Sequence, residues 1–152
     1  MTRDGDRAAD DAMYAVHTLV ARFANSFDVK AWDDLAACLA DAVHTDYSEL
    51  RGTPPETLTR AEFVASRRLA LDALRTHHLA GNVDVRLSGA RGEAVVSMVI
   101  YRRDAGGQAF DTHCVYTFGV VAEHGRWVIC SIVQRVLWND GEPAIHRGVT
   151  KP

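Results

Sequence analysis

The sequence predicts an α+β fold, with helices first and an antiparallel sheet after them. Apolar residues recur at helical spacing up to about residue 75 and alternate with period two beyond it. At the border stands Thr76-His77-His78-Leu79-Ala80-Gly81-Asn82, which sets two histidines where a helical layer meets a sheet.

Residues 1–8 are polar and acidic and read as a frayed tail without a signal peptide. From about residue 9, Met13, Val16, Val20, Phe23 and Phe27 form one helical stripe, away from Asp11, Thr18, Arg22 and Asn25. Asp28 interrupts it. Trp32, Leu35, Ala36 and Leu39 resume the period as a shorter second helix, which Asp28 is placed to cap. Residues 43–50 read as a short strand with Val43, Thr45 and Tyr47 on one face. Gly52-Thr53-Pro54-Pro55 is a loop. Thr59-Arg60-Ala61-Glu62 matches a capping box, in which the Thr and Glu side chains satisfy two free amides. A third helix is therefore expected over 60–74, burying Phe63, Val64, Leu71 and Leu74.

Beyond His78, Val83, Val85 and Leu87 alternate with Asn82, Asp84 and Arg86. Turn sequences at 88–92, 104–107 and 123–126 separate strands over 94–103, 110–122 and 127–138, an antiparallel meander. Residues 139–152, with Gly141, Pro143 and Gly148, read as an irregular tail. The 152 residues suit a single domain able to bury its own core. The strands around 95–99 and 127–138 are apolar at both parities. Both faces of the sheet should then be covered, one by core and pocket, the other by a further copy of the chain. The alternative is cover from the helices and the tail.

A net charge of −3, with Arg67-Arg68 and Arg102-Arg103 the only basic pairs, gives no footprint for nucleic acid. No stretch approaches the roughly 18 apolar residues of a membrane span. Cys38, Cys114 and Cys130 show no paired metal spacing and read as reduced thiols of a cytoplasmic protein. No metal is expected.

Several local motifs resemble one family. They are Ser26-Phe27-Asp28-Val29-Lys30-Ala31-Trp32-Asp33, Thr45-Asp46-Tyr47, Ala61-Glu62-Phe63-Val64 and Thr76-His77-His78-Leu79-Ala80-Gly81, with Gly125-Arg126-Trp127 and Trp138 in the sheet. Over about residues 10–140 the chain is similar to the SnoaL-like branch of the nuclear transport factor 2-like superfamily, nearest to scytalone dehydratase-like proteins. The resemblance implies a cone of three N-terminal helices packed on a curved antiparallel sheet enclosing a pocket. It implies His78 as general base, Asp28 as its partner and Tyr47 as the group that holds a carbonyl-polarising water. Other positions depart from that pattern. Phe27 stands for a tyrosine, the second pocket histidine falls near Asp104, and Cys114 and Tyr116 stand for a serine and an asparagine. The proton-transfer pair is kept while the substrate-polarising set is rebuilt, which argues against scytalone itself.

The chemistry of such a pair is general. A neutral imidazole can take a proton near physiological pH. A carboxylate on the far nitrogen fixes the tautomer and stabilises the imidazolium. Beside a bound carbonyl the base removes an α-proton, and loss of a β-hydroxyl or reprotonation elsewhere gives dehydration or isomerisation, with no cofactor. Tyr47 would donate, directly or through water, to the oxygen that gains charge. The expected partner is a small hydrophobic cyclic molecule, walled by Phe27, Met98, Ile100, Arg102, Cys114, Tyr116 and Gln134. Gln134 shares strand parity with Ile132, Val136 and Trp138, so it reads as a lone polar group in an apolar wall. Arg102 would meet a carboxylate or phenolate of the ligand. Cys114, with nothing nearby to lower its pKa, reads as wall rather than nucleophile.

Plainer readings stand beside these. Asp28 only caps a helix, His78 is satisfied by backbone at a strand start, Tyr47 is a core-edge tyrosine with its hydroxyl in solvent, and Arg102 is a solvated strand-end arginine. Alternation turns His77 away from His78 and sets His113 opposite to Cys114 and Tyr116, outside the pocket. His17, His44, His124 and His146 are expected to be exposed. The leading expectation is a cofactor-independent lyase or isomerase, in a homodimer or homotrimer formed through the sheet. The rivals are a non-catalytic binding or dimerisation module of the same fold, and a polyketide cyclase-like enzyme.

Overall fold

The computed structural model describes residues 3–147. Helix α1 (Arg3–Asp28) begins well before residue 9. Asp4 and Asp6 lie in its first turn, where the positive end of the helix dipole favours them, so the tail expected over 1–8 is helical from Arg3. Its buried stripe, Val16, Leu19, Val20, Phe23 and Phe27, is the one the spacing predicts, with Leu19 added.

Helix α2 (Trp32–Ala37) has Ala31 at its N-cap and no side-chain capping bond, so Asp28 does not cap it. Strand β1 (Leu39–Asp46) starts and ends earlier than expected. The Asp46 carboxylate accepts from the Ser48 amide (3.0 Å) and hydroxyl (2.6 Å), which turns the chain into a short helix α3 (Ser48–Arg51). Tyr47 thus sits at an N-cap position rather than in a strand, yet it stays buried with Val43 and Thr45. Strand β2 (Glu56–Thr59), between the expected loop and the capping box and not foreseen as a strand, pairs antiparallel with β1.

Helix α4 (Arg60–Leu71) opens with the predicted capping box. Glu62 Oε2 accepts from the Thr59 amide (2.8 Å) and Thr59 Oγ1 from the Glu62 amide (3.2 Å). It stops short of residue 74, and its end is closed from outside: Lys30 Nζ donates to the carbonyls of Leu71 (2.6 Å) and Leu74 (2.7 Å).

Strands β3 (Arg75–Ser88), β4 (Arg91–Arg103), β5 (Phe110–Glu123) and β6 (Arg126–Gly141) form the expected antiparallel meander, each longer than alternation suggests: β3 and β6 at both ends, β4 at its start and β5 at its end. The sheet order is β2-β1-β6-β5-β4-β3. The β1–β6 pair is parallel, so the sheet is mixed at one place. Register shifts at Gly81/Asp84, His113/Cys114 and Gly119/Val120 bend the strands and help the sheet curve.

One of these shifts reverses a side chain. Val136 opposes Cys114 while Trp138 opposes His113, so Trp138 leaves the inner face and stacks on His113 outside, centroids 4.2 Å apart. Beyond β6, residues 143–145 form a 3-10 turn. The expectations for residues 1–2 and 148–152 lie outside the described residues.

The core lies between the helices and the inner face of β3–β6. Phe23 of α1 meets Phe118 of β5 edge-on at 5.0 Å, and Tyr116 stacks on Phe118 at 5.3 Å. Burying one such aromatic side chain stabilises the fold by roughly 1.5–3 kcal/mol. The outer face leaves Leu79, Leu137 and Trp138 exposed. Among the described residues, no helix is long and apolar enough to cross a membrane.

Candidate functional site

Asp28 is the last residue of α1 and faces the start of β3. Its Oδ1 accepts from Thr76 Oγ1 (3.0 Å) and lies 2.7 Å from His78 Nδ1, and its Oδ2 accepts from the His78 amide (2.8 Å). One carboxylate therefore holds both backbone and ring of His78. Because an ionised carboxylate only accepts, the proton is assigned to Nδ1. Nε2 makes no hydrogen bond to any described residue. Strand alternation brings Thr76 and His78 to the same side and turns His77 out to solvent. The His78 ring is buried and stacks on Phe27, 4.9 Å between centroids.

Burial is the largest influence on His78 and lowers its pKa. Asp28 opposes this, and the charges of Arg102 and Lys30 add to the lowering, so the imidazole titrates below its usual 6.5. For Asp28, burial pushes upward, but hydrogen bonds from the His78 ring and amide, the His78 charge and Thr76 together hold it below 3.8. At neutral pH the pair is an ionised carboxylate against a neutral imidazole.

A second polar group lies on the sheet. Gln134, fully buried, donates from Nε2 to Tyr116 Oη (3.2 Å) and Cys114 Sγ (3.7 Å), and Cys114 in turn donates to Met98 O (3.4 Å). The Tyr47 hydroxyl interacts with that of Tyr116, and burial raises both phenols, which stay protonated. The Tyr47 hydroxyl is thus not in solvent. Burial also pushes the Cys114 thiol up to about 11, so it stays a thiol and fits a wall rather than a nucleophile.

Arg102 is 2% exposed, not solvated at a strand end. Its Nη1 donates to Thr112 Oγ1 (2.9 Å) and Phe110 O (3.4 Å), and the guanidinium lies 5.0 Å over the Phe110 ring. Burial lowers it to about 10, so it carries its charge at neutral pH.

All ten predicted site residues stand around this interior. Phe27, Tyr47, His78, Met98, Ile100, Arg102, Cys114, Tyr116 and Gln134 are buried, and Asp28 is half-buried. They fall into two groups. No hydrogen bond or ring contact links Tyr47 directly to His78. Arg102 connects the groups electrostatically, since its charge acts on His78, Tyr116 and Cys114.

Sequence reasoning missed three residues near the site. Arg67 lies 5.0 Å over the Tyr47 ring, and its place four residues from both Phe63 and Leu71 was a readable signal of burial. Arg51 lies 5.3 Å over the same ring, reached through the unforeseen α3. His146, expected to be exposed, is buried edge-on to Phe110, and burial drives its pKa to about 3. It follows a segment without periodicity, and nothing in the sequence signalled its burial.

A cavity of about 650 Å³ lies elsewhere, between α1, α2 and the β5–β6 turn. Tyr14, Arg22, Val29 and Trp127 line it, and none of the predicted site residues does. Convergent buried polar groups are what mark a binding site, and they converge on the inner face, so the candidate site is there. The opening beside Tyr47 is small, about 10 Å³. Among the described residues, no three His, Cys, Asp or Glu side chains come together as a metal site.

A family model described as the SnoaL-like domain matches residues 9–133. The scytalone dehydratase-like protein claB of Passalora fulva is 26% identical, covering 92% of this chain and 94% of that protein. Among solved structures, the Kfla4162 protein of Kribbella flavida superposes with a TM-score of 0.85 at 19% identity, covering 90% of this chain and 97% of the other. Hexachlorocyclohexane dehydrochlorinase LinA-type3 of Novosphingobium barchaimii gives 0.74 at 17% identity, covering 98% and 99%. At these identities the structures share the fold. The chain belongs to the SnoaL-like domain family of the nuclear transport factor 2-like superfamily.

Proposed function

We propose that this SnoaL-like protein is a cofactor-independent lyase or isomerase acting on a small hydrophobic cyclic carbonyl compound. The observation that carries this reading is the 2.7 Å contact of His78 Nδ1 with Asp28, which leaves Nε2 with an unshared electron pair facing the buried interior. Nε2 removes a proton α to the carbonyl, and the electrons move onto oxygen as an enolate. Asp28 stabilises the resulting imidazolium. A buried, protonated tyrosine hydroxyl, from Tyr47 or its partner Tyr116, donates to the enolate oxygen. In a dehydration the enolate expels a β-hydroxyl, which takes the proton back from His78 and leaves as water. In an isomerisation the same proton returns to a different carbon. Phe27, Met98, Ile100, Arg102, Cys114 and Gln134 form the wall.

Two of the three named relatives are consistent with this, one being called dehydratase-like and the other a dehydrochlorinase. A second reading, a pocket that binds without catalysis, is favoured by one observation: the Tyr47 hydroxyl is engaged by Tyr116 rather than left open. The two readings separate on a panel of cyclic β-hydroxy ketones followed by NMR in deuterated buffer. The lyase reading expects elimination or α-deuteration by the wild type, and about 10²–10⁴-fold slower reaction by His78→Ala. Equal rates in that variant would leave only the binding reading. We also propose a homo-oligomer through the outer face, where Leu79, Leu137 and Trp138 are exposed; a monomer by light scattering contradicts it.

A further inference from the structure

Arg102 carries a buried charge that no carboxylate among the described residues pairs with directly; Asp111 acts on its guanidinium only from beyond ion-pair distance. The partners of Arg102 are a hydroxyl, a carbonyl and an aromatic ring, all neutral. Among the described residues no carboxylate is within ion-pair reach of it. Asp111, the acidic neighbour on β5, is held by Arg103 instead, 2.6 Å from its Nη1. Taking a charge out of water without a partner costs several kcal/mol, so a fold does not retain such a group for stability.

The unused atoms of Arg102 have a definite shape. Nη1 is occupied, whereas among the described residues Nε is buried without an acceptor and Nη2 makes no hydrogen bond. Nε and Nη2 form the side-on edge of a guanidinium, the edge that grips two carboxylate oxygens at once. Gln134 Oε1 is also buried and without a donor among the described residues, while its Nε2 is held by Tyr116 and Cys114. The interior thus offers one two-pronged anion site and one acceptor.

These groups face the proposed base. Arg102 pairs with Thr76 across the β3–β4 ladder, and Ile100, two residues before it on the same face, pairs with His78. The Arg102 charge is close enough to act on His78.

We propose that the natural ligand of the interior site carries a carboxylate, gripped by Nε and Nη2 of Arg102, and a hydroxyl or N–H that donates to Gln134 Oε1. The substrate class is then a cyclic hydroxy or keto acid rather than a neutral ketone. This deepens the function proposed above and rests on its placing of the site on the inner face. Held by Arg102, the carboxylate end fixes which carbon is presented to His78 Nε2.

The test is equilibrium binding, independent of turnover. 2-Naphthoate and its methyl ester are titrated by calorimetry into wild type, Arg102→Met, Arg102→Lys and His78→Ala. Wild type is expected to favour the acid by at least about tenfold, the gain typical of a charge-assisted hydrogen bond. Arg102→Met should lose that preference and Arg102→Lys, which keeps charge without the fork, should lose part of it. His78→Ala should keep it. If Arg102→Met does not fold, the lysine variant decides. Equal binding of acid and ester by wild type, no binding of either at millimolar concentration, or an undiminished preference in both Arg102 variants overturns the proposal. An intact preference with no turnover of any cyclic acid supports it and counts against the lyase reading alone.

Discussion

The two polar regions inside this molecule are built on opposite principles. In the corner formed by Asp28, Thr76 and His78, the carboxylate receives three hydrogen bonds and only His78 Nε2 is left over. Along the wall formed by Arg102, Cys114, Tyr116 and Gln134, two buried polar atoms have no partner among the described residues. A saturated group of this kind stabilises the fold and fixes one tautomer. An unsaturated one costs stability until something else completes it. The corner is preorganised for proton transfer, and the wall is shaped for a ligand.

Mutations at the two regions should therefore differ in sign. The largest effect is on rate: His78→Ala lowers elimination by about 10²–10⁴-fold and leaves far-ultraviolet circular dichroism unchanged. Asp28→Ala removes the acceptor from three donors, two of them on buried His78. It should destabilise the protein by about 1–3 kcal/mol in urea unfolding; an unchanged midpoint would mean that the corner adds nothing to stability. Arg102→Met goes the other way. Replacing an uncompensated buried charge by an apolar chain of similar length should leave stability unchanged or raise it by about 1–2 kcal/mol. A clear loss would show that the wall is structural rather than reserved for a ligand. The smallest effect is the control outside both regions. Thr59→Ala breaks the capping box of α4, costs about 1 kcal/mol, and leaves turnover and acid preference alone.

Acid sharpens the same contrast. His78, Asp28 and His146 all titrate lower in the folded chain than in the unfolded one. The unfolded chain therefore takes up protons first as pH falls. The two histidines contribute stability that is complete above pH 6.5 and is lost on acidification, for His146 progressively down to about 3. Asp28 adds to the loss below 3.8. Urea midpoints at pH 5 should fall below those at pH 7.5, and equal midpoints would contradict these shifts.

Much of this was legible in the sequence, for identifiable reasons. The change of period near residue 75, the capping box at Thr59 and the turn sequences are local signals, and each is where it was read. Asp28 shows where local reasoning stops. A carboxylate at a helix end suits capping and pairing equally, and the choice depends on donors arriving from residues 76 and 78. Tyr47 was placed on the correct face but in the wrong element, because the Asp46–Ser48 hydrogen bonds end the strand at Asp46, just before it. Trp138 was turned outward by a bulge that alternation cannot foresee. β2 is four residues long after two prolines and carries too little pattern to be seen. Arg102 shares parity with Met98 and Ile100, which was the signal of its burial, but the habit of arginine at strand ends pointed the other way.

The central claim is that His78 is a neutral base with its proton on Nδ1 and its lone pair on Nε2. Nitrogen-15 NMR of the His78 imidazole, assigned by comparison with His78→Ala, tests it directly. At pH 7 the account predicts a protonated Nδ1 and an unprotonated Nε2, with conversion to imidazolium only below pH 6.5. An Nε2–H tautomer, or an imidazolium already present at pH 7, would contradict it.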